Sequence, residues 1–527
     1  MQDIAIIGAG PAGLAAAKYL IQHGFNPTIF EQGDSVGGQW SGGAAHSGVW
    51  PSMRTNTSRL MTAFSDFPHG DDVAVYPSNR EMHAYLLRYV QRYGLNACLR
   101  LRTRVTRLER HPSGDGWRLS YTGEGGAVQS EVFARVVVAS GRYNKPSIPA
   151  VAGIESFSGA GAVSHTFGYR GPGAYRGMRV LVAGGSISAL EIASDLAVQE
   201  AGTVISSQRK QRYVLSKLIA GVPVEHLAFT RFAALAAESL PLDAVARSLK
   251  DFIVDNCGRP EQYGALAVSE NVLEAGITQN QSFLPLVAEG RILPKPWISE
   301  IRGRSVRFSD GTTDEADALI FGTGFDLHLP FLAEESRRHL DLDSAHIDLY
   351  ARTLHPELPG LAFLGLYDIV GPAFPVLELQ ARWLAYLWSG IRPEPSSDEM
   401  REGIAAYQAT RHLPASVPMH ALAVLFARLA GAEPSVEEFP QLARALLFGP
   451  LSPESFRLTG PDRLTGALER TERAAALFGA VPEPSLTAEQ RMQLAALAAA
   501  RDDEGLARVA APQAGDDWKG NRRSAGR

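Results

Sequence analysis

Apolar residues run without alternation through "DIAIIG" near the start of the chain, which predicts a short buried strand over residues 3–8. A glycine-rich turn follows, then a helix to about His23 and a second strand in "PTIFE". Apolar positions at helical spacing predict a further helix over residues 79–93, "NREMHAYLLRYVQRY". "ACLRLRTRVTRLER", "GWRLSYT" and "EVFARVVVAS" read as three strands of a sheet or meander. The proline- and glycine-rich "NKPSIPAVAGIESFSG" is a connector and marks a boundary. Beyond it, "MRVLVAGGSISALEIASDLAVQEAGTVISSQ" repeats the strand–turn–helix–strand plan of the N-terminus. After "DALIFGTGFD" the chain is expected to return to its first domain. Residues 396–510 read as an Ala-, Leu- and Arg-rich helical extension, and 511–527 as a disordered tail. The expected fold is therefore α/β, with two Rossmann-like dinucleotide-binding domains: one split between 1–150 and 317–395, the other inserted as 165–316.

Composition narrows the chemistry. At 527 residues the chain exceeds one simple core, in keeping with several domains. Hydrophobic content of 45% and charged content of 20% describe an ordinary globular protein. A net charge of −5 offers no electrostatic case for nucleic acid. Cys98 and Cys257 form no CxxC pair and no Cys/His cluster, which argues against a disulfide scaffold, a metal site and a dithiol redox centre. Both read as buried hydrophobes. "IAIIGAGPAGLAAAKYL" is apolar enough to mimic a secretory signal, but it lacks a basic leading region and its glycines fall at fixed spacing. No other stretch approaches the apolar length of a membrane span, so a soluble, cytoplasmic protein is expected.

The first glycine turn, Gly8-Ala9-Gly10-Pro11-Ala12-Gly13, is a GxGxxG set between strand and helix. Gly8 allows the tight turn, Gly10 lets the backbone approach a pyrophosphate, and Gly13 permits close helix–strand packing. The phosphates are expected on the helix N-terminus, where free N–H groups and the dipole favour negative charge. Glu31 ends the second strand, where a carboxylate can bind ribose hydroxyls. In the second turn Gly184 and the small Ala189 match the first and third glycines, Ser186 replaces the second, and Ser188 lies between them. A side chain at Ser186 is expected to push the pyrophosphate slightly outward. Where an NAD site would place an acid stands Arg209 in "SSQRKQR", with Lys210 and Arg212 beside it. A guanidinium pairs with a 2′-phosphate that an acid would repel, so NADPH is the expected ligand. Two such sites suggest FAD held in the first and NADPH visiting the second.

At this point the chain resembles the flavin-containing monooxygenases, from residue 1 to about 478. The resemblance rests on "GAGPAGL", "GGQW", "TNTSRLMTAFSDFP", "YPSNREMHAYLLRYVQRYGL", "SSQRKQRYVLSK", "LIFGTGFDLHLPFL" and "LFGPLSPESFRLTGP" together. It implies an FAD- and NADPH-dependent monooxygenase whose C4a-hydroperoxyflavin gives one oxygen to a nucleophilic nitrogen or sulfur of a small molecule. It also implies Asn56 as the active-site residue touching flavin and NADP⁺, flanked by Thr55 and Thr57, with Gln39 and Trp40 against the FAD. The stretch around Asn56 holds no Cys or His nucleophile and no paired acids, which suits a reaction whose reactive oxygen is carried by the cofactor. The helix after Pro375 is a candidate for pointing its N-terminus at the flavin, with a buried core helix as the equal alternative. Asn280 reads as a loop residue.

The linker "FSGAGAVSHTFGYR" resembles the family's linker motif at Phe157, Gly159, His165, Tyr169 and Arg170, with His165 two residues late. That shift favours a hinge or packing role for His165. The Tyr-Arg ending resembles the amine- and sulfur-oxidising branch; the Baeyer–Villiger branch usually shows Trp-Pro there. Rival readings are a Baeyer–Villiger enzyme acting on a ketone, an NADPH-dependent flavin reductase, and a non-catalytic flavin scaffold. Substrate and molecular oxygen are the expected partners, with no membrane anchor and with a homodimer left open.

Overall fold

The computed structural model describes residues 2–42, 46–199, 201–413 and 416–511. The chain opens with strand β1 (Asp3–Ile7), helix α1 (Pro11–Gln22) and strand β2 (Asn26–Phe30). Helix α2 (Asn79–Arg92) is started by a capping box in which Ser78 and Glu81 satisfy each other's backbone N–H groups. Strands β3 (Leu99–Arg100) and β4 (Arg135–Val138) follow, separated by an antiparallel meander of Arg104–Arg110, Trp117–Thr122 and Val128–Phe133. Next come β5 (Val163–His165), β6 (Arg179–Ala183), α3 (Ile187–Val198) and β7 (Thr203–Gln208). Then follow β8 (Ile292–Pro296), β9 (Ala318–Phe321), β10 (Leu361–Phe363), α4 (Phe374–Trp388) and α5 (Met419–Ala430).

Two five-stranded parallel sheets result, in the orders β10-β4-β1-β2-β3 and β8-β7-β6-β9-β5. Period-2 alternation sorts each strand's side chains between two cores. In the first sheet Ile4, Ile6 and Val137 face α1, α2 and α4, while Ala5, Ile7, Val136 and Val138 face the meander through Leu108, Trp117 and Phe133. In the second, Val180, Val182 and Ile320 face α3, while Leu181, Ile205 and Phe321 face the strands carrying Ile298, Ile301, Val306 and Phe308. The sequence duplication is thus a duplication of layers: helices on one face, antiparallel strands on the other. Each such Ile or Val removed from water stabilises by about 1.5–3 kcal/mol, which explains strands apolar on both faces.

Two expected strands are each two strands. "ACLRLRTRVTRLER" breaks over Leu101–Thr103, where Arg102 takes φ +50°; its first part joins the parallel sheet and its second the meander. "EVFARVVVAS" breaks at Ala134 in the same way. Local propensity is high throughout both stretches, so only the change of sheet reveals the break. Helix α4 is buried along its length and packs between α1 and α5. The C-terminal region continues as helices Ala443–Phe448, Ala467–Ala476, Ala488–Arg501 and Glu504–Ala510. Residues 512–527 of the expected tail lie outside the described residues. No helix among the described residues is long and apolar enough to cross a membrane.

Candidate active site

The two glycine turns are built alike. Gly8 has φ +108°, and a Cβ there would lie 2.5 Å from the carbonyl oxygen of Ala139 on the neighbouring strand end. Gly184 has φ +132°, with Gly322 O 2.3 Å from its would-be Cβ. Both conformations exclude other residues cheaply. A Cβ on Gly13 would sit 2.0 Å from Gly8 O, so that glycine is demanded by the protein's own packing. Gly10 differs: a Cβ would meet only Gly38 Cα at 3.7 Å. The protein leaves that space open, and the first turn of α1, with Gly10 before it and Pro11 at its start, has no side-chain cap. Ala9 and Ala12 flank it, Ala9 fully buried. This cradle fits a pyrophosphate.

In the second turn the Ser186 hydroxyl folds back, accepting from Ala189 N at 3.3 Å and donating to Gly322 O at 3.0 Å. It caps α3 instead of projecting outward, which removes the expected obstruction. Ser188 lies half-buried in the first turn of α3, and Ala189 is buried against Gly322.

Glu31 is buried and accepts from Ala9 N at 2.8 Å and Gly33 N at 2.7 Å. Its carboxylate therefore orders the first glycine turn from below. Gln39 ties a loop together: its amide donates to His46 O and Tyr143 O at 3.2 and 2.9 Å and accepts from Gly48 N at 2.8 Å. Trp40 is half-buried and packs on the first core. Arg209 is exposed at the end of β7, its guanidinium 4.8 Å over the Trp297 ring. Lys210 instead donates to Glu274 O, and the Arg212 side chain runs past Gly185 and Gly276.

Residues 55–68 form neither helix nor strand of length, yet they are held at many points. Phe64 packs among Tyr85, Tyr89 and Phe374, and Phe67 among Tyr85, Tyr89 and Tyr93. Between them, Ser65 gives its N–H and hydroxyl to Glu378 of α4, both at 2.8 Å, and Asp66 pairs with Lys18 of α1 at 2.5 Å. Tyr19 donates to Glu378 at 2.6 Å, and Arg457 donates to Tyr19 at 2.7 Å. These buried polar contacts pin the segment to α1, α4 and the C-terminal "FRLTGP" block. Upstream, Thr55 N donates to Pro77 O and Arg59 N to Val75 O at 2.9 and 2.7 Å. Thr55 Oγ1 donates to Thr57 O at 2.7 Å, and Thr57 Oγ1 meets Thr62 Oγ1 at 2.9 Å. Asn56 sits in the middle with its Oδ1 buried and without a hydrogen-bond partner among the described residues.

Sequence reasoning passed over two residues here. Glu225 and His226, wholly buried, reach the segment from the stretch 220–290 that carries no motif: Glu225 Oε1 accepts from Ser58 N, and His226 Nε2 meets Ser58 Oγ at 2.9 Å. An adjacent acid and histidine inside the apolar "VPVEHLAF" was the available signal. Burial raises the Glu225 carboxyl and lowers His226 to about 3. Trp297, beneath Arg209, was also missed. His165 ends β5, accepts from Phe167 N at 3.1 Å and packs edge-on to Phe325 at 5.0 Å. Asn280 is a buried helix cap, accepting from Ser282 N and Phe283 N at 2.8 and 2.7 Å. Tyr169 donates to Asp195 at 2.7 Å, and Arg170 donates to Ser47 O at 3.0 Å, tying the linker to the loop before Asn56.

Comparison with known proteins finds relatives over most of the chain. The family model for flavin-binding monooxygenase-like proteins matches residues 1–475. The N-oxide-forming dimethylaniline monooxygenase 2 of Rattus norvegicus is 30% identical over 492 residues, covering 89% of this chain and 90% of its own length. Flavin-containing monooxygenase 3 of Homo sapiens is 29% identical, covering 88% and 90%. Among solved structures, S-allyl-L-cysteine S-oxygenase from Allium sativum shares the fold at TM-score 0.61 and 23% identity, covering 90% of this chain and 99% of its own. Cyclohexanone monooxygenase from Rhodococcus sp. Phi1 bound to NADP⁺ does so at TM-score 0.61 and 17% identity, covering 83% and 98%. With two glycine turns built alike and a family match over nine-tenths of its length, the chain belongs to the flavin-binding monooxygenase-like family of FAD- and NADPH-dependent monooxygenases.

Proposed function

We propose that this enzyme places one atom of molecular oxygen on a nucleophilic nitrogen or sulfur of a small molecule, with Asn56 as its catalytic residue. The observation that carries the reading is the buried, unpartnered Oδ1 of Asn56 on a turn whose neighbours are all pinned. Leaving such an atom unserved costs about 1–3 kcal/mol, so the site fits a bound group that completes it. The neutral amide offers two donors and an acceptor and keeps one protonation state across the working pH range. Bound flavin and nicotinamide supply hydride transfer and then transfer of one oxygen atom from O2.

The chain's own residues bind, orient and exclude water. Gly8, Ala9, Gly10, Pro11, Ala12 and Gly13 cradle the FAD pyrophosphate, and Glu31 shapes that loop beside the ribose. Gln39, which ties the 46–48 loop, and Trp40, which packs on the first core, would stand against the FAD. Gly184, Ser186, Ser188 and Ala189 receive the NADPH pyrophosphate, and Arg209, braced on Trp297, takes its 2′-phosphate. Residues 1–150 with 317–395 would form the FAD-binding domain and residues 165–316 the NADPH-binding domain, except that Val163, Ser164 and Ala318–Phe321, expected outside the inserted unit, join its sheet and belong with it. Thr55 and Thr57 keep the Asn56 turn rigid. Tyr169 and Arg170, where a Baeyer–Villiger linker would carry Trp-Pro, support a heteroatom substrate over a ketone.

Asn56→Ala tests the assignment. NADPH oxidation should continue while hydrogen peroxide replaces the oxygenated product, whose yield per NADPH falls about tenfold or more. The assay is run with an amine, a sulfide and a cyclic ketone. Unchanged coupling would remove Asn56 from the site, and a lactone as the sole product would move the function to Baeyer–Villiger oxidation.

A further inference from the structure

The two hydrogen bonds on Ser58 come from a part of the chain with no share in either glycine turn. Glu225 and His226 begin the short helix Glu225–Ala228, 167 and 168 residues after Ser58. Neither has any solvent exposure. Glu225 accepts the Ser58 backbone N–H, and His226 engages its hydroxyl at 2.9 Å, so the N–H and the hydroxyl of one residue are held by two adjacent side chains. The remaining carboxylate oxygen of Glu225 and Nδ1 of His226 are buried without partners among the described residues. Burying an acid and an imidazole in this state is costly, and a fold keeps them only where their geometry is used.

The surroundings show what is held. The Phe478 ring lies edge-on to His226 at 5.5 Å and receives the Arg59 guanidinium at 5.3 Å, so the C-terminal region covers His226. Phe478 takes φ +66°, a strained conformation for a bulky residue, where the chain bends over this spot. Tyr76 donates to Lys217 O at 2.6 Å, and Lys217 pairs with Glu191 of α3 at 2.9 Å, which anchors the Glu225 helix to both parallel-sheet units. Asn56 lies two residues from Ser58, and Thr62 ties back to Ser58 O at 2.8 Å. Any drift of Ser58 therefore passes directly to the asparagine amide.

We propose that Glu225 and His226, the latter roofed by Phe478, are positioning residues that clamp the Asn56 turn through Ser58 and so link the inserted unit to the oxygenation site. This rests on the reading of Asn56 given above. The pair touches neither substrate nor cofactor; it acts through Ser58. The clamp makes Asn56 placement depend on how the inserted unit is seated, a dependence the glycine turns do not supply.

Hydrogen exchange on the flavin-loaded, full-length protein tests the clamp alongside coupling. In Glu225→Ala, amide protection in the peptide spanning 55–62 should fall about tenfold while peptides from β1 and β6 keep theirs. The peroxide share of NADPH oxidised should rise about threefold or more, with KM for NADPH within about twofold of the parent. Glu225→Gln keeps an acceptor for the Ser58 N–H and should restore both readouts. Should Glu225→Ala fail to fold, Ser58→Ala removes the hydroxyl held by His226 and should show the same local loss. Parent-like protection of 55–62 in these variants overturns the clamp, as does a loss shared equally by β1 and β6. A parent enzyme without NADPH-driven oxygen uptake would instead sink the monooxygenase reading, and exchange alone would then judge the clamp.

Discussion

Arg209 is the exposed side chain on which the proposed preference for NADPH turns. It stands where the second βαβ unit ends, and its guanidinium lies over the Trp297 ring, which restricts the rotamers of an otherwise free side chain. A preoriented fork pairs with a 2′-phosphate through two hydrogen bonds and loses little entropy in doing so. Arg209→Ala should raise KM for NADPH about tenfold or more while leaving KM for NADH within about twofold. Steady-state kinetics with both cofactors measure this, and an equal effect on the two would take Arg209 out of the phosphate site. Lys210 and Arg212, read from sequence as helpers, diverge: one is occupied by Glu274 O, the other lies along Gly185. The basic run marked the neighbourhood, and the Trp297 ring singles out Arg209 within it. Asn56 was legible only through resemblance, since a lone asparagine in a turn carries no chemical signal of its own.

At the scale of elements, the glycine turns separate what the fold needs from what the ligand needs. Gly13 is held against Gly8 O by packing, whereas Gly10 faces open space. Gly13→Ala should therefore destabilise by several kcal/mol, about 3 or more, because a Cβ has nowhere to go. Gly10→Ala should melt within a few degrees of the parent in the flavin-free state but retain about tenfold less FAD. Melting curves and the ratio of flavin to protein absorbance after gel filtration check the pair. If both variants lost flavin and stability alike, the two glycines would share one role. Helix boundaries were readable to within a residue or two, as at α1 and α2, because periodicity and caps are local properties. The breaks at Leu101–Thr103 and at Ala134 were not readable, since strand-forming residues continue straight through them.

Across the whole molecule, buried titratable groups join parts distant in sequence. Glu378, Arg457, Tyr19, Ser65, Lys18 and Asp66 bind α1, α4, the Asn56 segment and the C-terminal block into one network. Elsewhere burial holds His226 near 3 and His69 and His420 near 4, all below the ordinary 6.5. With folded values depressed, these imidazoles stay neutral in the native state while the unfolded chain takes up protons below pH 6.5. Stability is therefore lost as pH falls from about 6.5 towards 4, at about 1.4 kcal/mol per pH unit for each histidine. Glu454 acts in the opposite direction: burial raises it from 4.5 to about 7, so its contribution is present at low pH and fades as pH rises from about 4.5 to 7. The urea midpoint should drop steeply between pH 6.5 and about 5, with three histidines outweighing one acid. A flat midpoint over that range would mean the histidines gain access to water.

The amino-acid sequence by itself determined the two strand–turn–helix units, their glycines, the acid and the arginine that follow them, and the family. These features depend on backbone geometry within a few residues or on short fixed spacings, so the order of residues suffices to state them. Only the tertiary structure decided which strand halves share a sheet, why Ser186 does no harm, which ring braces Arg209, and that Glu225 and His226 stand behind Asn56. Those facts depend on groups brought together from far along the chain, and close packing of a buried polar pair leaves no periodic trace for the sequence to display.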